Sequence, residues 1–101
     1  MLKILQINYR LNAAVADFLR EAEPVARMLA GVAGLRWKIW LKNETEAEGG
    51  GVYLFEDAAA LKKFIDGPFI EKLRAHPSVA ELTVKQFDVP AELSSVTRAP
   101  V

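Results

Sequence analysis

Apolar residues recur at every second position in four stretches of this chain and at helical spacing in two others. Their order is strand, helix, strand, strand, helix, strand. A chain written this way has few ways to fold, because each sheet face and helix stripe must find an apolar partner. Two split β-α-β units lay the strands into one antiparallel sheet, with both helices on the same side. The expected class is therefore α+β, a ferredoxin-like βαββαβ sandwich.

In the first strand, 2–10, Leu5, Ile7 and Tyr9 alternate with Gln6, Asn8 and Arg10. The first helix is expected over 13–30, where Val15, Phe18, Leu19, Ala22, Val25, Ala26 and Leu29 form one stripe. Asn12 suits its N-cap, Pro24 should kink it, and Gly31 and Gly34 suit its end. Segment 35–42 is the clearest strand, with Leu35, Trp37, Ile39 and Leu41 alternating with Arg36, Lys38, Trp40 and Lys42. Polar residues 43–48 followed by Gly49-Gly50-Gly51 read as a hairpin connection, and 52–56 as the return strand. Asp57 then caps a helix that Gly67-Pro68 interrupts and His76-Pro77 ends. The last strand is 80–88, where Leu82 and Val84 oppose Thr83, Lys85 and Phe87. Residues 1–88 make one domain, and the polar residues 89–101, with Leu93 and Val96, read as its C-terminal arm.

Composition sets the limits on function. With 13 basic and 13 acidic residues among 101, the chain lacks the basic excess of a nucleic-acid or membrane-surface protein. It has no cysteine, and its single histidine has no neighbouring ligands, so no metal site is expected. Lys3 and Gln6 break up the start as a signal peptide, and no apolar run nears the roughly 20 residues of a spanning helix. A cytoplasmic protein is the expectation. The segment Gly51-Val52-Tyr53-Leu54-Phe55 is only a weak echo of the aromatic strand of RNA-recognition motifs, and the neutral charge weighs against RNA.

The sheet face away from the helices is expected to carry Gln6, Asn8, Arg36, Lys38, Trp40, Thr83, Lys85 and Phe87. Large aromatics among cations on an uncovered sheet call for a cover, either the sheet of a second copy or a ligand.

Three separated runs resemble one family. They are Gly34-Leu35-Arg36-Trp37-Lys38-Ile39-Trp40, then Glu48-Gly49-Gly50-Gly51-Val52-Tyr53-Leu54-Phe55-Glu56-Asp57, and Val84-Lys85-Gln86-Phe87-Asp88-Val89 with Leu93-Ser94. With Pro24 in the first helix, they are similar in order and spacing to the YdhR-type mono-oxygenases. The resemblance implies a dimeric α+β barrel in which two such sheets face each other. It also implies kinship with cofactor-free mono-oxygenases of phenolic polyketides. The wider superfamily includes haem degraders that use a first-strand Asn, a Trp and a His. Asn8 has a place in that scheme, but Phe55 stands where the Trp is expected and His76 falls past the second helix, so haem degradation is disfavoured.

Each candidate has a plain structural alternative. Trp37 shares its face with Leu35, Ile39 and Leu41 and reads first as core. Trp40 reads equally as dimer packing or a ligand wall. Tyr53 reads as core with a satisfied hydroxyl, or as a hydroxyl aimed into a cavity. Lys38 and Lys85 read as solvated strand lysines, or as holders of a phenolate or enolate. His76 reads as a helix-end or solvent residue. No general base is assignable from the sequence.

The functional expectation is a cofactor-independent mono-oxygenase of a small phenolic or anthrone-like aromatic, working as a homodimer joined through its sheets. Lys38, Trp40 and Tyr53 are its catalytic candidates, and Asn8, Trp37, Lys85 and Phe87 its substrate-binding candidates. No metal and no cofactor are expected. The alternative is a non-catalytic ligand-binding or structural homodimer of the same fold.

Overall fold

The computed structural model describes all residues, 1–101. Its elements are β1 (Lys3–Leu11), α1 (Val15–Arg20), α2 (Glu23–Ala30), β2 (Leu35–Asn43), β3 (Glu48–Phe55), α3 (Ala58–Ile65), α4 (Pro68–Ala75), β4 (Val79–Asp88) and α5 (Ala91–Val96). The sheet has the order β2-β3-β1-β4, with every pair antiparallel. This is an α+β, ferredoxin-like fold. No helix is long and apolar enough to cross a membrane.

The helices break where the backbone chemistry breaks. Pro24 has no N–H to give and sits in the first turn of α2, where none is needed. The expected single helix over 13–30 is therefore two helices, parted at Glu21 and Ala22. Asn12 is not the N-cap. Its N–H extends the β1 edge by donating to the Ser78 carbonyl, and Ala14 holds the cap position. Asp57 does cap α3, its carboxylate accepting from the Ala60 N–H at 2.8 Å. Gly67 and Pro68 part α3 from α4, and α4 ends at His76.

The core lies between the sheet and the helices. Leu5, Ile7, Tyr9 and Leu11 of β1 pack with Tyr53 and Phe55 of β3, closed over by Val15, Leu29, Leu61, Phe64 and Ile70. Alternation along β1 runs as the sequence pattern requires, and along β4 it does so from Leu82 onward, after an irregularity where Asn8 pairs with Thr83 but Arg10 with Ala80.

Along β2 it does not. Leu35 pairs with Phe55, but Trp37 pairs with Leu54, so two steps on β2 match one on β3 and Arg36 is an extra residue. Such a bulge reverses the facing of everything beyond it, because side chains alternate with a period of two. Lys38 and Trp40 therefore turn toward the helices, opposite Tyr53 and Gly51, while Trp37 and Ile39 turn to the open face, opposite Leu54 and Val52. This corrects both expectations for the strand: Trp37 is not on the core face, and Lys38 and Trp40 are not on the uncovered one.

The glycine run is also placed differently. The hairpin turn is Glu44–Ala47, with the Asn43 side chain accepting from the Glu46 N–H, and Gly49-Gly50-Gly51 lies inside β3. Space explains it. A Cβ on Gly49 would stand 2.9 Å from the Tyr9 ring, and one on Gly51 would stand 2.5 Å from Lys38 Cε. The bare strand lets both side chains lie across it.

The C-terminal residues include α5, and the Trp37 Nε1–H donates to the Pro100 carbonyl at 2.8 Å. Leu93 and Val96 remain largely exposed.

Candidate active site

The bulge at Arg36 delivers Lys38 and Trp40 to a cavity of about 440 Å³ between the sheet and the helices. Tyr9, Lys38, Trp40 and Tyr53 come to it from the sheet, Phe18 from α1, Val25 and Met28 from α2, and Phe69 and Leu73 from α4. His76 completes the wall, and Glu21 and Lys72, both exposed, add one charge of each sign.

Lys38 is the unusual member. Its Nζ sits 3.3 Å from the centroid of the Trp40 ring, 4.7 Å from that of Tyr53 and 5.9 Å from that of Phe69. It takes part in none of the salt bridges, and no carboxylate answers it. Burial strips water from the ammonium and lowers its pKa from 10.5 to about 7. The ring faces return part of that loss by cation–π attraction, typically about 1–2 kcal/mol at a desolvated site. They cannot replace the lost hydrogen bonds, so the amine is close to half-neutral at pH 7.

The tyrosines are shifted the other way. Burial raises Tyr9, and burial together with the nearby Tyr9 raises Tyr53 further. Both stay protonated at neutral pH and can donate. The His76 ring meets Phe18 edge-on at 5.3 Å, and its Nδ1 accepts from the Ser78 N–H at 3.1 Å. That bond occupies Nδ1 and leaves Nε2 as the nitrogen free to donate.

The structure thus gathers Lys38, Trp40 and Tyr53 in one place. It does not bring the other four candidates there. Asn8 lies on the open face, where its Oδ1 accepts from Gln6 Nε2. Lys85 stands opposite Gln6, and Phe87 opposite Ile4, both on that face and exposed. Trp37 lies there too, bonded to Pro100. Lys38 and Lys85 do not meet. Tyr9, Phe18, Phe69 and His76 are cavity residues that sequence reasoning passed over. No local signal marks His76, because the bond that holds its ring comes from the backbone N–H of residue 78, which any residue but proline would supply. No group of three or more His, Asp or Glu residues is arranged to hold a metal ion.

The sequence matches the family described as "Putative mono-oxygenase ydhR" over residues 4–100. The chain belongs to the YdhR family. No curated protein sequence matches it. Among solved structures, the YdhR chain is similar to SnoaB, a cofactor-independent oxygenase from Streptomyces nogalater crystallised as a mutant. The TM-score is 0.70 and the identity 15%, covering 88% of this chain and 93% of that one. It is similar to the heme-degrader MhuD of Mycobacterium tuberculosis, which holds two hemes in its active site, with a TM-score of 0.66, 19% identity, and 86% and 95% coverage. A Deinococcus radiodurans protein described as a "putative antibiotic biosynthesis monooxygenase" gives a TM-score of 0.66 at 11% identity, covering 88% and 92%. At these identities the likenesses establish the fold, and the family match carries the mono-oxygenase relation.

Proposed function

We propose that this YdhR-family protein is a cofactor-independent mono-oxygenase of a small phenolic or anthrone-like aromatic, bound between sheet and helices with its oxygen at Lys38 Nζ. The observation that carries the reading is a half-buried lysine whose amine lies among three aromatic rings, with no counter-ion. Such a nitrogen is suited to an organic acid that brings its own negative charge.

The neutral Lys38 amine accepts the proton of the phenol or enol, and the resulting ammonium holds the anion. The charge pair forms in a poorly hydrated site, where it is far stronger than in water. The Tyr9 and Tyr53 hydroxyls donate to developing oxyanions, and the Trp40 and Phe69 rings orient the substrate plane. The anion passes one electron to O2, and the two radicals combine at the ring carbon to give a peroxide anion. That anion takes back the proton. Loss of water across the C–O–O–H unit leaves a carbonyl, so a CH2 group and O2 become C=O and H2O. The substrate supplies all the electrons.

The open face supports a homodimer. Ile4, Trp37, Ile39, Leu41, Val52 and Phe87 share it, and Ile39 and Phe87 are each about half exposed, at 50% and 47%. An apolar sheet of this extent is covered economically by a second copy of itself. Leu93 and Val96 of the arm add apolar surface at 71% and 77% exposure.

The test is oxygen uptake against a panel of phenols, hydroquinones and anthrones, with metal and flavin removed. Uptake should occur with at least one of them. It should fall at least roughly a hundredfold in Lys38→Met, the loss typical of removing one charge-stabilising group, and be unchanged in Lys85→Met. No uptake with any member would leave the ligand-binding dimer as the better reading.

A further inference from the structure

The amine of Lys38 has the surroundings of a nucleophile as well as of a base. A primary amine becomes nucleophilic when it is desolvated in an apolar pocket, because a substantial fraction is then unprotonated at neutral pH. Here the nitrogen lies on the wall of a cavity that admits a small molecule, and its side chain crosses the bare strand at Gly51. Three flat rings surround it, so an aromatic group entering the cavity meets stacking partners as it meets the amine.

We propose that Lys38 also captures aromatic aldehydes and quinones covalently, as a reversible imine. The inference rests on reading the cavity as the substrate site. The nitrogen lone pair adds to the carbonyl carbon as the C=O π bond opens, and one proton moves from nitrogen to oxygen. Water then leaves with that hydroxyl and the second nitrogen proton, and C=N closes. No electrons enter or leave, and hydrolysis reverses the step. A quinone formed in the cavity would thereby occupy the amine proposed to start its formation, so the site would be restrained by its own product.

Tyr9 of β1 and Tyr53 of β3 stay protonated. Glu21 between α1 and α2, Lys72 of α4 and His76 after it line the cavity, yet none is paired with Lys38. With a pKa of about 7 against the ordinary lysine value, the neutral fraction at pH 7 is roughly a thousandfold larger than that of an exposed lysine.

The experiment is anaerobic reductive trapping of the full chain with 4-hydroxybenzaldehyde and cyanoborohydride at pH 7. Peptide mapping follows, with the Met1 amine scored separately. Lys38 should be labelled at least tenfold faster than any other lysine, unchanged in Lys85→Met, on the open face, and lost in Lys38→Met. Excess of an anthrone or phenol that fills the cavity should protect it. Equal labelling of all lysines, or preference for Lys72, overturns the inference, and because the map reads the native sequence, a poorly folded variant cannot blur the outcome. If trapping fails while phenol oxidation still depends on Lys38, only the imine falls. If trapping succeeds without any oxygen uptake, the amine site stands and the oxygenase reading falls.

Discussion

Replacing Lys38 by Met should make the protein more stable, and by an amount that depends on pH. In the folded state burial lowers the Lys38 pKa to about 7, against the ordinary 10.5 of a solvated lysine. Below pH 7 both folded and unfolded chains hold the proton, and the folded chain bears the full cost of a desolvated ammonium. Between 7 and 10 the unfolded chain binds the extra proton, so stability rises with pH across that window. A shift of this size corresponds to a ceiling of about 4–5 kcal/mol. Water entering from the cavity mouth and the attraction of the ring faces reduce it, and about 2 kcal/mol is a working figure. Met keeps the length and apolar contacts of the stem and carries no charge. Urea unfolding at one protein concentration should find Lys38→Met more stable by about 2 kcal/mol at pH 6, with the difference reduced by about half by pH 9. Work above pH 10 is avoided, because the raised tyrosines, still protonated in the fold, add stability that is lost as pH climbs through their folded values. A variant less stable at pH 6, or a difference that does not move with pH, would refute the claim that the ammonium is uncompensated.

Other substitutions test the surroundings. Gly51→Ala puts a Cβ 2.5 Å from Lys38 Cε and should push Nζ off the Trp40 ring. Turnover should drop about tenfold, while stability in denaturation stays within about 1 kcal/mol, since Ala suits a strand better than Gly. Ile39→Asp sets a charge in the middle of the open face and should weaken the dimer by about 2 kcal/mol or more, roughly thirtyfold in Kd, by sedimentation. Deleting 90–101 removes the Pro100 carbonyl that Trp37 donates to. Melting should fall by several degrees, at about 4–8 °C per kcal/mol for a domain this size, and an unchanged melting curve would make the arm a mere tail.

The topology was legible because it depends on periodicity, and periodicity survives small irregularities. The four strands, the Asp57 cap, the break at Gly67-Pro68 and the stop at His76 all follow from local chemistry. The facing of β2 was not legible. One extra residue, Arg36, costs nothing in composition and leaves the Leu-Arg-Trp-Lys-Ile-Trp alternation intact, yet it turns the strand over. That single event moved Lys38 and Trp40 into the cavity and Trp37 out of it. The glycine run misled for a related reason: its absent side chains serve Tyr9 and Lys38 on neighbouring strands, a contact invisible along the chain. Lys38, Trp40 and Tyr53 could be named from residue type. The proposed base could not, because a lysine suits that role only through burial that its neighbours in sequence do not reveal.

The central claim is that Lys38, on the helix side of the sheet, binds a phenol as its anion. A nitrophenol whose phenolate absorbs in the visible reports this directly. Titrated with the protein at a pH below the phenol's own pKa in water, it should show the phenolate band on binding, because transfer of its proton to Lys38 yields a charge pair in a poorly hydrated site. The band should vanish in Lys38→Met and persist in Lys85→Met. Binding as the neutral phenol, or a phenolate band that survives without Lys38 and disappears without Lys85, would place the site on the open face and contradict the account.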